Sequence, residues 1–130
     1  SQSDYLVFGS RNDKQKGNRL INSCLKLSIK SICGRYTLRQ SIILMSLCKY
    51  ALASDSGLGH ISAALGVPTI SFFGVGSLNV TGPIGKKVKI FKHCYPCKRD
   101  LCEDSNKEVF CLKKISKQDI EHAVKKLAIK

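Results

Sequence analysis

The residues best suited to chemistry lie at positions 55–60, which read Asp55-Ser56-Gly57-Leu58-Gly59-His60. These small and polar residues lie at the predicted start of a helix, where the first backbone N–H groups are unpaired and carry a partial positive charge. These groups could hold a phosphate, with Gly57 permitting close approach and His60 one turn further on. Asp55 could cap the helix or accept a hydrogen bond from a ligand hydroxyl. A purely structural alternative stays open, in which Asp55 or Ser56 only caps the helix and His60 is a hydrogen-bonded histidine.

A second cluster with chemical potential consists of cysteines in the last third of the chain: Cys94, Cys97, Cys102 and Cys111. Four thiolates at these spacings could bind a structural zinc ion, and the basic residues among them would favour the ionised thiolate. Local disulfides and free thiols are the alternatives, and His93 is an additional candidate ligand. Each of these assignments is structural and not catalytic.

The elements that must position these residues follow from hydrophobic periodicity and capping signals. Strands that alternate with helices predict an α/β fold with a parallel sheet and right-handed crossovers. In such a sheet ligands bind beyond the carboxyl ends of the strands, which is where positions 55–60 fall. Strands are predicted at 5–8, 31–33, 50–53, 69–73 and 88–91, and helices at 14–27, from 37, from 56 to 65, and at about 117–128.

Several local signals sharpen these predictions. Thr37 and Gln40 have the spacing of a capping box, and the apolar helix that follows is predicted to be buried. The strand at 50–53 is predicted to be buried as well. Gly17 is expected to weaken the first turn of its helix. Gly66 fits the position just after a helix, and the proline at 68 prevents its continuation.

Composition limits the class of protein. A chain of 130 residues with 43% hydrophobic residues is expected to form a single domain over residues 1–130. The sequence has neither a membrane-spanning run nor a signal-peptide pattern at its start, so a cytoplasmic protein is expected. An odd count of seven cysteines argues against a full disulfide framework. The net charge of +13 predicts anionic partners: phosphates, nucleic acid or an acidic membrane surface.

The motif around Asp55 extends further along the chain. It reads Asp55-Ser56-Gly57-x-x-His60-x-x-Ala63-Ala64-x-Gly66-x-Pro68, and it is followed by Phe73-Gly74 and Thr81-Gly82-Pro83. Thr37-Leu38, Gly9-x-x-x-Asp13 and Cys94-x-Pro96-Cys97 accompany it. In this order the motifs resemble glycosyltransferase family 9, the bacterial heptosyltransferases. The resemblance covers nearly the whole chain, and the Asp-Ser-Gly-x-x-His segment is its most specific part.

The resemblance implies a Rossmann-like parallel sheet with flanking helices, corresponding to most of the C-terminal, donor-binding lobe of a two-lobed GT-B enzyme. It implies a nucleotide-sugar donor, ADP-heptose or a relative, and an acceptor that is the lipopolysaccharide core or a lipid A precursor. Transfer would invert the configuration at the sugar and need no metal. The general base is expected in the other lobe, so this chain alone is predicted to be inactive. Contact with an anionic membrane at the inner face of the cytoplasmic membrane is compatible with this function.

The same resemblance suggests which residues bind the donor. Asp55, Ser56, Gly57 and His60 would line the nucleotide and diphosphate pocket, Asp13 would stand near the ribose, and Gly9 and Gly74 are further donor-binding candidates. The loop after Phe73 departs from the family pattern, which leaves the identity of the donor sugar open.

Two alternatives belong to other classes. The charge and the four clustered cysteines would fit a small zinc-dependent nucleic-acid-binding module, but 7% aromatic residues and the lack of a DNA- or RNA-binding motif argue against it. A fragment of a sugar-nucleotide epimerase would share the diphosphate-binding helix. Neither GxGxxG nor Walker A occurs, so standard dinucleotide and P-loop sites are not supported.

Overall fold

The computed structural model describes residues 4–73, 82–91 and 115–128. The strands are β1 (Asp4–Val7), β2 (Ser28–Ser31), β3 (Ala51–Ser54), β4 (Thr69–Phe72) and β5 (Val88–Phe91). The helices are α1 (Lys14–Ser23), α2 (Leu38–Ser46), α3 (Gly57–Ala64) and α4 (Lys117–Ala128), with a 3₁₀ turn at Arg11–Asp13 before α1. The chain divides into two compact units, Ser1–Leu44 and Met45–Lys130.

In the first unit, β1 and β2 form a parallel pair, and α1 connects them. Gly17 is buried in α1, and a Cβ atom there would lie only 2.8 Å from Ser31 Oγ on β2. The glycine that was expected only to weaken α1 therefore lets the helix approach the sheet closely.

The predicted boundaries in this unit were partly wrong. Helix α1 ends at Ser23 rather than at 27, because the chain turns at 24–27 to enter β2, with Leu27 N–H donating to Cys24 O at 3.0 Å. The second strand spans Ser28–Ser31 instead of 31–33. The predicted range overlaps β2 only at Ser31; Ile32 N–H still donates to Val7 O at 3.0 Å, and the chain then turns at Gly34, which adopts a φ of 66°.

Helix α2 begins with the predicted capping box. Thr37 N–H donates to Gln40 Oε1 at 3.0 Å, and Gln40 N–H donates to Thr37 Oγ1 at 3.3 Å. The prediction that α2 is buried was wrong, because Met45 is buried whereas Leu38 and Ile43 are 61% and 57% exposed. A helix that is apolar on most sides carries no periodic signal for the face that is covered.

In the second unit, the described strands form a parallel sheet in the order β3-β4-β5, and α3 is the crossover between β3 and β4. The predicted α/β fold with parallel strands is confirmed. The sheet centres on β4, in which Thr69, Ile70 and Ser71 are almost fully buried. Strand β3 is only half buried, contrary to prediction, because its side chains alternate and Leu52 is 52% exposed.

Helix α3 is closed at its carboxyl end by two turn hydrogen bonds. Gly66, with a φ of 78°, donates to Ala63 O at 3.1 Å, and Val67 N–H donates to Ser62 O at 3.1 Å. This is a Schellman motif, in which a glycine is favoured because of its left-handed backbone. The motif returns the chain directly into β4 and so fixes α3 against the sheet.

Helix α4 occupies the range where the C-terminal apolar stripe predicts a helix. Ser116 N–H donates to Asp119 Oδ2 at 2.9 Å, and Asp119 N–H donates to Ser116 Oγ at 3.1 Å. Ser116 also donates to Asp119 Oδ2 from its hydroxyl at 2.7 Å, and the bonds that Ser116 donates, first from its hydroxyl and then from its amide, lower the pKa of the Asp119 carboxyl. Ala123 is buried, and α4 packs against β4.

Candidate functional site

The candidate site is the turn between β3 and α3, at the carboxyl edge of the parallel sheet. Ser56 has extended backbone angles, and its hydroxyl accepts a hydrogen bond from Gly59 N–H at 3.3 Å. Ser56 is therefore the residue that caps the helix. The N–H groups of Gly57 and Leu58 in the first turn have no intrahelical acceptor, and they contribute to the partial positive charge of this helix end.

Asp55 and His60 lie next to each other at this helix end. Asp55 Oδ1 is 3.4 Å from His60 Nε2, and the two side chains are 39% and 38% exposed. Because Ser56 supplies the cap, the Asp55 carboxylate is not required for that role. At this helix end the carboxylate is a hydrogen-bond acceptor, and the imidazole can donate through a ring N–H.

The two glycines of this turn differ in what surrounds them. A Cβ atom at Gly59 would lie 2.8 Å from Ala53 Cβ and 3.0 Å from Ser54 O, so that glycine is required for α3 to pack on β3. At Gly57, no atom in the described part of the chain would lie within 4 Å of an added Cβ. Packing therefore does not explain Gly57, whose backbone faces open space beside the exposed amides.

A buried pair of hydroxyls connects α3 to the sheet. Ser62 Oγ lies 3.0 Å from Thr69 Oγ1 and 2.8 Å from Gly59 O, and Thr69 Oγ1 donates to Val67 O at 2.7 Å. Ser62 and Thr69 are 1% and 0% exposed. This network connects α3 to β4 in the core, so it holds the helix that carries the site in a fixed position.

Two other predicted site residues, Gly9 and Asp13, lie in the first unit, after β1. Ser10 donates to Asp13 Oδ2 from its hydroxyl at 2.7 Å and from its amide at 2.9 Å, and these bonds lower the pKa of Asp13. A Cβ atom at Gly9 would lie 2.8 Å from Asp13 Cβ and 3.0 Å from Cys33 Sγ. Local packing and capping thus account for both residue types, and a role in donor binding stays a prediction.

Further predicted residues lie outside the described part of the chain. These are Gly74, Thr81 and the four cysteines Cys94, Cys97, Cys102 and Cys111, so the zinc, disulfide and free-thiol alternatives stay as predictions. Of the remaining cysteines, Cys33 is buried, while Cys24 and Cys48 are partly exposed. Burial raises the pKa of the Cys48 thiol.

Two kinds of feature are absent from the part of the chain that the structure describes. Residues 4–73, 82–91 and 115–128 contain no group of three or more His, Cys, Asp or Glu side chains arranged to hold a metal ion. Among the helices that the structure describes, none has the length and apolar character needed to cross a membrane.

Sequence reasoning missed the residues that support the site. The small residues at 62–64 indicate only that close packing is possible there, and nothing local marks Ser62 as the partner of Thr69. The requirement for Gly59 was also missed, although glycine within a helix next to a strand is a usable signal of close backbone approach. Both contacts join residues of different elements, which no short motif encodes.

The parallel strands and the exposed amides at a helix start define an α/β protein of the class that binds ligands at the carboxyl edge of its sheet. A model of "Glycosyltransferase family 9 (heptosyltransferase)" matches residues 2–110. The chain therefore belongs to glycosyltransferase family 9, as its motifs predicted.

Similar proteins carry heptosyltransferase names. Lipopolysaccharide heptosyltransferase 2 of Salmonella typhimurium is 32% identical over 90 residues, which are 67% of this chain and 26% of that protein. Lipooligosaccharide heptosyltransferase 2 of Campylobacter jejuni is 26% identical over 136 residues, which cover 98% of this chain and 42% of that protein. The chain thus spans less than half the length of these relatives.

Solved structures agree with the fold. The structure of ADP-heptose lipopolysaccharide heptosyltransferase II from E. coli matches with a TM-score of 0.81 and 25% identity, over 97% of this chain and 36% of that one. A family 9 glycosyltransferase from Veillonella parvula matches with a TM-score of 0.78 at 18% identity, also over 36% of its chain, which supports the fold alone.

Proposed function

We propose that this chain binds a nucleotide sugar, ADP-heptose or a close relative, as the donor-binding part of a lipopolysaccharide heptosyltransferase. The observation that carries the proposal is the open space around Gly57 in the first turn of α3, the helix end that also carries the Asp55–His60 pair. Membership of glycosyltransferase family 9 and the heptosyltransferase names of its relatives give the chemical class.

Each group at this turn has a defined part in donor binding. The amides of Gly57 and Leu58 and the helix dipole would contact the diphosphate. His60, when protonated, would donate to a phosphate oxygen and stabilise the negative charge that develops as the diphosphate leaves. Asp55 would accept a hydrogen bond from a sugar hydroxyl, because a carboxylate placed against the diphosphate itself would repel it.

The remaining donor contacts follow the family resemblance. By that resemblance Asp13 would accept from a ribose hydroxyl; its Oδ2 accepts from Ser10, and its Oδ1 lies 3.9 Å from Lys16 Nζ. The resemblance also names Gly9 and Gly74 as donor-binding residues. No metal ion is needed for transfer in this proposal, because the helix end and His60 supply the positive charge at the diphosphate.

The reaction would be an inverting displacement. An acceptor hydroxyl oxygen forms the new bond to the anomeric carbon while the bond from that carbon to the diphosphate oxygen breaks, and both bonding electrons leave with the nucleoside diphosphate. The proton of the acceptor hydroxyl passes to a carboxylate general base. We place that base outside this chain, so the chain alone would bind the donor without transferring it.

The acceptor would be the lipopolysaccharide core or a lipid A precursor, and the reaction would take place on the cytoplasmic side of the inner membrane. The names of the relatives support this acceptor class. Specific nucleic acid binding is not part of the proposal.

Thermal unfolding with added nucleotides tests the binding claim. ADP is expected to raise the midpoint of unfolding more than UDP or GDP at equal concentration, because a ligand that binds only the folded state stabilises it. His60→Ala is expected to weaken ADP binding about tenfold, since a hydrogen bond to a charged group is worth about 1.5–3 kcal/mol. The exposed Asp55–His60 pair itself contributes about 1 kcal/mol or less to stability, so the variant should stay folded.

His122→Ala is the matched control, because His122 is an exposed histidine on α4. It should leave ADP protection unchanged. Equal loss in both variants, or no protection of the wild-type chain by any of the three nucleotides, would contradict the proposed site.

A further inference from the structure

The loop before β5 lies at the opposite edge of the sheet from the candidate donor site. Val88 pairs with Thr69 at the amino ends of β5 and β4, and Thr69 N–H donates to Lys87 O at 2.9 Å. The donor site follows Ser54, at the carboxyl end of β3. Charged groups in the loop 82–87 therefore have no access to a diphosphate bound at the Asp55 turn, and they need another explanation.

This loop presents an apolar side chain from a fixed backbone. Ile84 is 86% exposed, although it stands next to Gly85, which is in close contact with α3. A Cβ atom at Gly85 would lie 2.7 Å from Ala63 O and 2.9 Å from Val88 Cγ2. The backbone at Gly85 thus lies close to the last turn of α3, and Ile84 beside it is exposed.

Positive charge surrounds the exposed isoleucine. Lys86 and Lys87 are exposed in the turn that leads into β5, and Lys89 is exposed within that strand, with its Nζ 5.8 Å from the centre of the Phe91 ring. The sequence has no acidic residue between Asp55 and Asp100. The loop therefore combines an apolar tip with lysines that have no acidic neighbour in this stretch of the sequence.

We propose that the loop 82–87 is a docking surface for an anionic phospholipid membrane, with Ile84 entering the interface and Lys86 and Lys87 contacting lipid phosphates. An isoleucine gains free energy from an apolar phase, and lysines gain from an anionic surface. The phosphates of a nucleic acid could contact the lysines, but a nucleic acid has no apolar phase for the isoleucine to enter. The loop also has no aromatic side chain on which a base could stack. The proposal is independent of donor binding.

Co-sedimentation of the 130-residue chain with vesicles tests it. The chain should bind vesicles of phosphatidylcholine mixed with phosphatidylglycerol, bind phosphatidylcholine alone far more weakly, and lose affinity as salt rises. The double variant K86Q/K87Q should bind about tenfold to thirtyfold more weakly, since each lysine near an anionic surface contributes a factor of about five. Ile84→Ser should reduce affinity about fivefold through the loss of apolar burial.

Matched controls separate the loop from general effects. K125Q/K126Q removes the same charge from exposed positions on α4, and Leu25→Ser removes a side chain that is 87% exposed. Both controls should change vesicle affinity by about twofold or less, since neither the two lysines on α4 nor Leu25 belongs to the docking surface. All four variants alter exposed side chains, and matching melting curves would verify that they are folded.

Four results would overturn the proposal. The first is an equal loss of vesicle binding in the two double-lysine variants, which would reduce the effect to net charge. The second is an Ile84→Ser variant that binds vesicles like the wild type. The third is a preference of the loop lysines for RNA or DNA over vesicles in direct competition. The fourth is self-association of the chain that Ile84→Ser abolishes, which would make the loop a contact between two copies.

Discussion

Substitutions at two glycines in the first turn of α3 test ligand binding and folding stability separately. Gly57→Ala adds a methyl group to open space, so stability should be unchanged or rise by up to about 1 kcal/mol through helix propensity. Gly59→Ala places a methyl group 2.8 Å from Ala53 Cβ, and it should cost about 1–3 kcal/mol. Chemical denaturation of the two variants measures both values.

The same pair makes a prediction about ligand binding. Gly57→Ala should weaken protection by ADP more than tenfold while the protein stays folded, because its methyl group would occupy the space proposed for the phosphate. Undiminished ADP protection in a stable Gly57→Ala variant would remove the main structural argument for this site.

The candidate site was predictable at this scale because its residues are contiguous. A cap, a glycine and a histidine within positions 55–60 follow from local helix chemistry, and the resemblance to family 9 marked the same segment. The choice of Ser56 over Asp55 as the cap was not predictable, since both residue types accept from a helix amide. The hydrogen bond from Gly59 N–H to Ser56 Oγ identifies Ser56 as the cap, and the Asp55 carboxylate lies next to His60.

At the level of elements, the buried hydroxyl pair fixes α3 on β4. Thr69→Val keeps the shape of the side chain but leaves Val67 O without its donor, so a loss of about 1–3 kcal/mol in the free energy of unfolding is expected. Ser62→Ala leaves that bond in place and should cost less.

A double-mutant cycle measures how far the two hydroxyls depend on each other. Ser62 and Thr69 share a hydrogen bond at 3.0 Å, so the double variant should lose less stability than the sum of the single variants. Strict additivity would indicate that the two hydroxyls act independently and that the network does not couple α3 to β4.

The capping box of α4 contains the charged carboxylate of Asp119, so its contribution to the stability of the protein depends on pH. Hydrogen bonds from Ser116 lower the pKa of Asp119 from its ordinary value of 3.8 in the folded state. The resulting stabilisation is present above pH 3.8, and it is lost as the pH falls through the lower pKa of the folded protein. Ser116→Ala removes the larger cause of the shift and should flatten this acid dependence.

Thr37→Ala is the matched control for that prediction, because the box at the start of α2 uses the uncharged Gln40. Both variants should lower stability at neutral pH, but only Ser116→Ala should change its slope below pH 3.8, the ordinary pKa of Asp119. Denaturation curves at a series of acidic pH values measure the slopes. Parallel curves for Ser116→Ala and the wild type would contradict the assigned cause.

Capping signals identified the starts of α2 and α3 from the sequence, because a cap is a contact between residues three apart. The ends of the helices and the faces that they bury were harder to predict from the sequence. Helix α1 stops at Ser23 because β2 must begin at Ser28, and the covered face of α2 is set by residues distant in sequence. Those outcomes depend on tertiary contacts that periodicity does not encode.

For the molecule as a whole, family membership rests on a match to residues 2–110, and the parallel α/β fold agrees with it. The sequence predicted both through motifs spread along the chain. The chain spans 26% of one relative and 42% of another. Its net charge of +13 fits a protein whose proposed ligands, a nucleotide diphosphate and a phospholipid surface, are both anionic.

Titration calorimetry with ADP-heptose and with ADP, using the wild-type chain and Asp55→Asn, tests the central claim most directly. We expect saturable binding of both ligands to the wild type, and we expect Asp55→Asn to weaken ADP-heptose about tenfold while changing ADP by about twofold or less, since only the sugar would use the carboxylate. Absence of binding by either ligand, or an equal effect of Asp55→Asn on both, would contradict a donor site at the turn between β3 and α3.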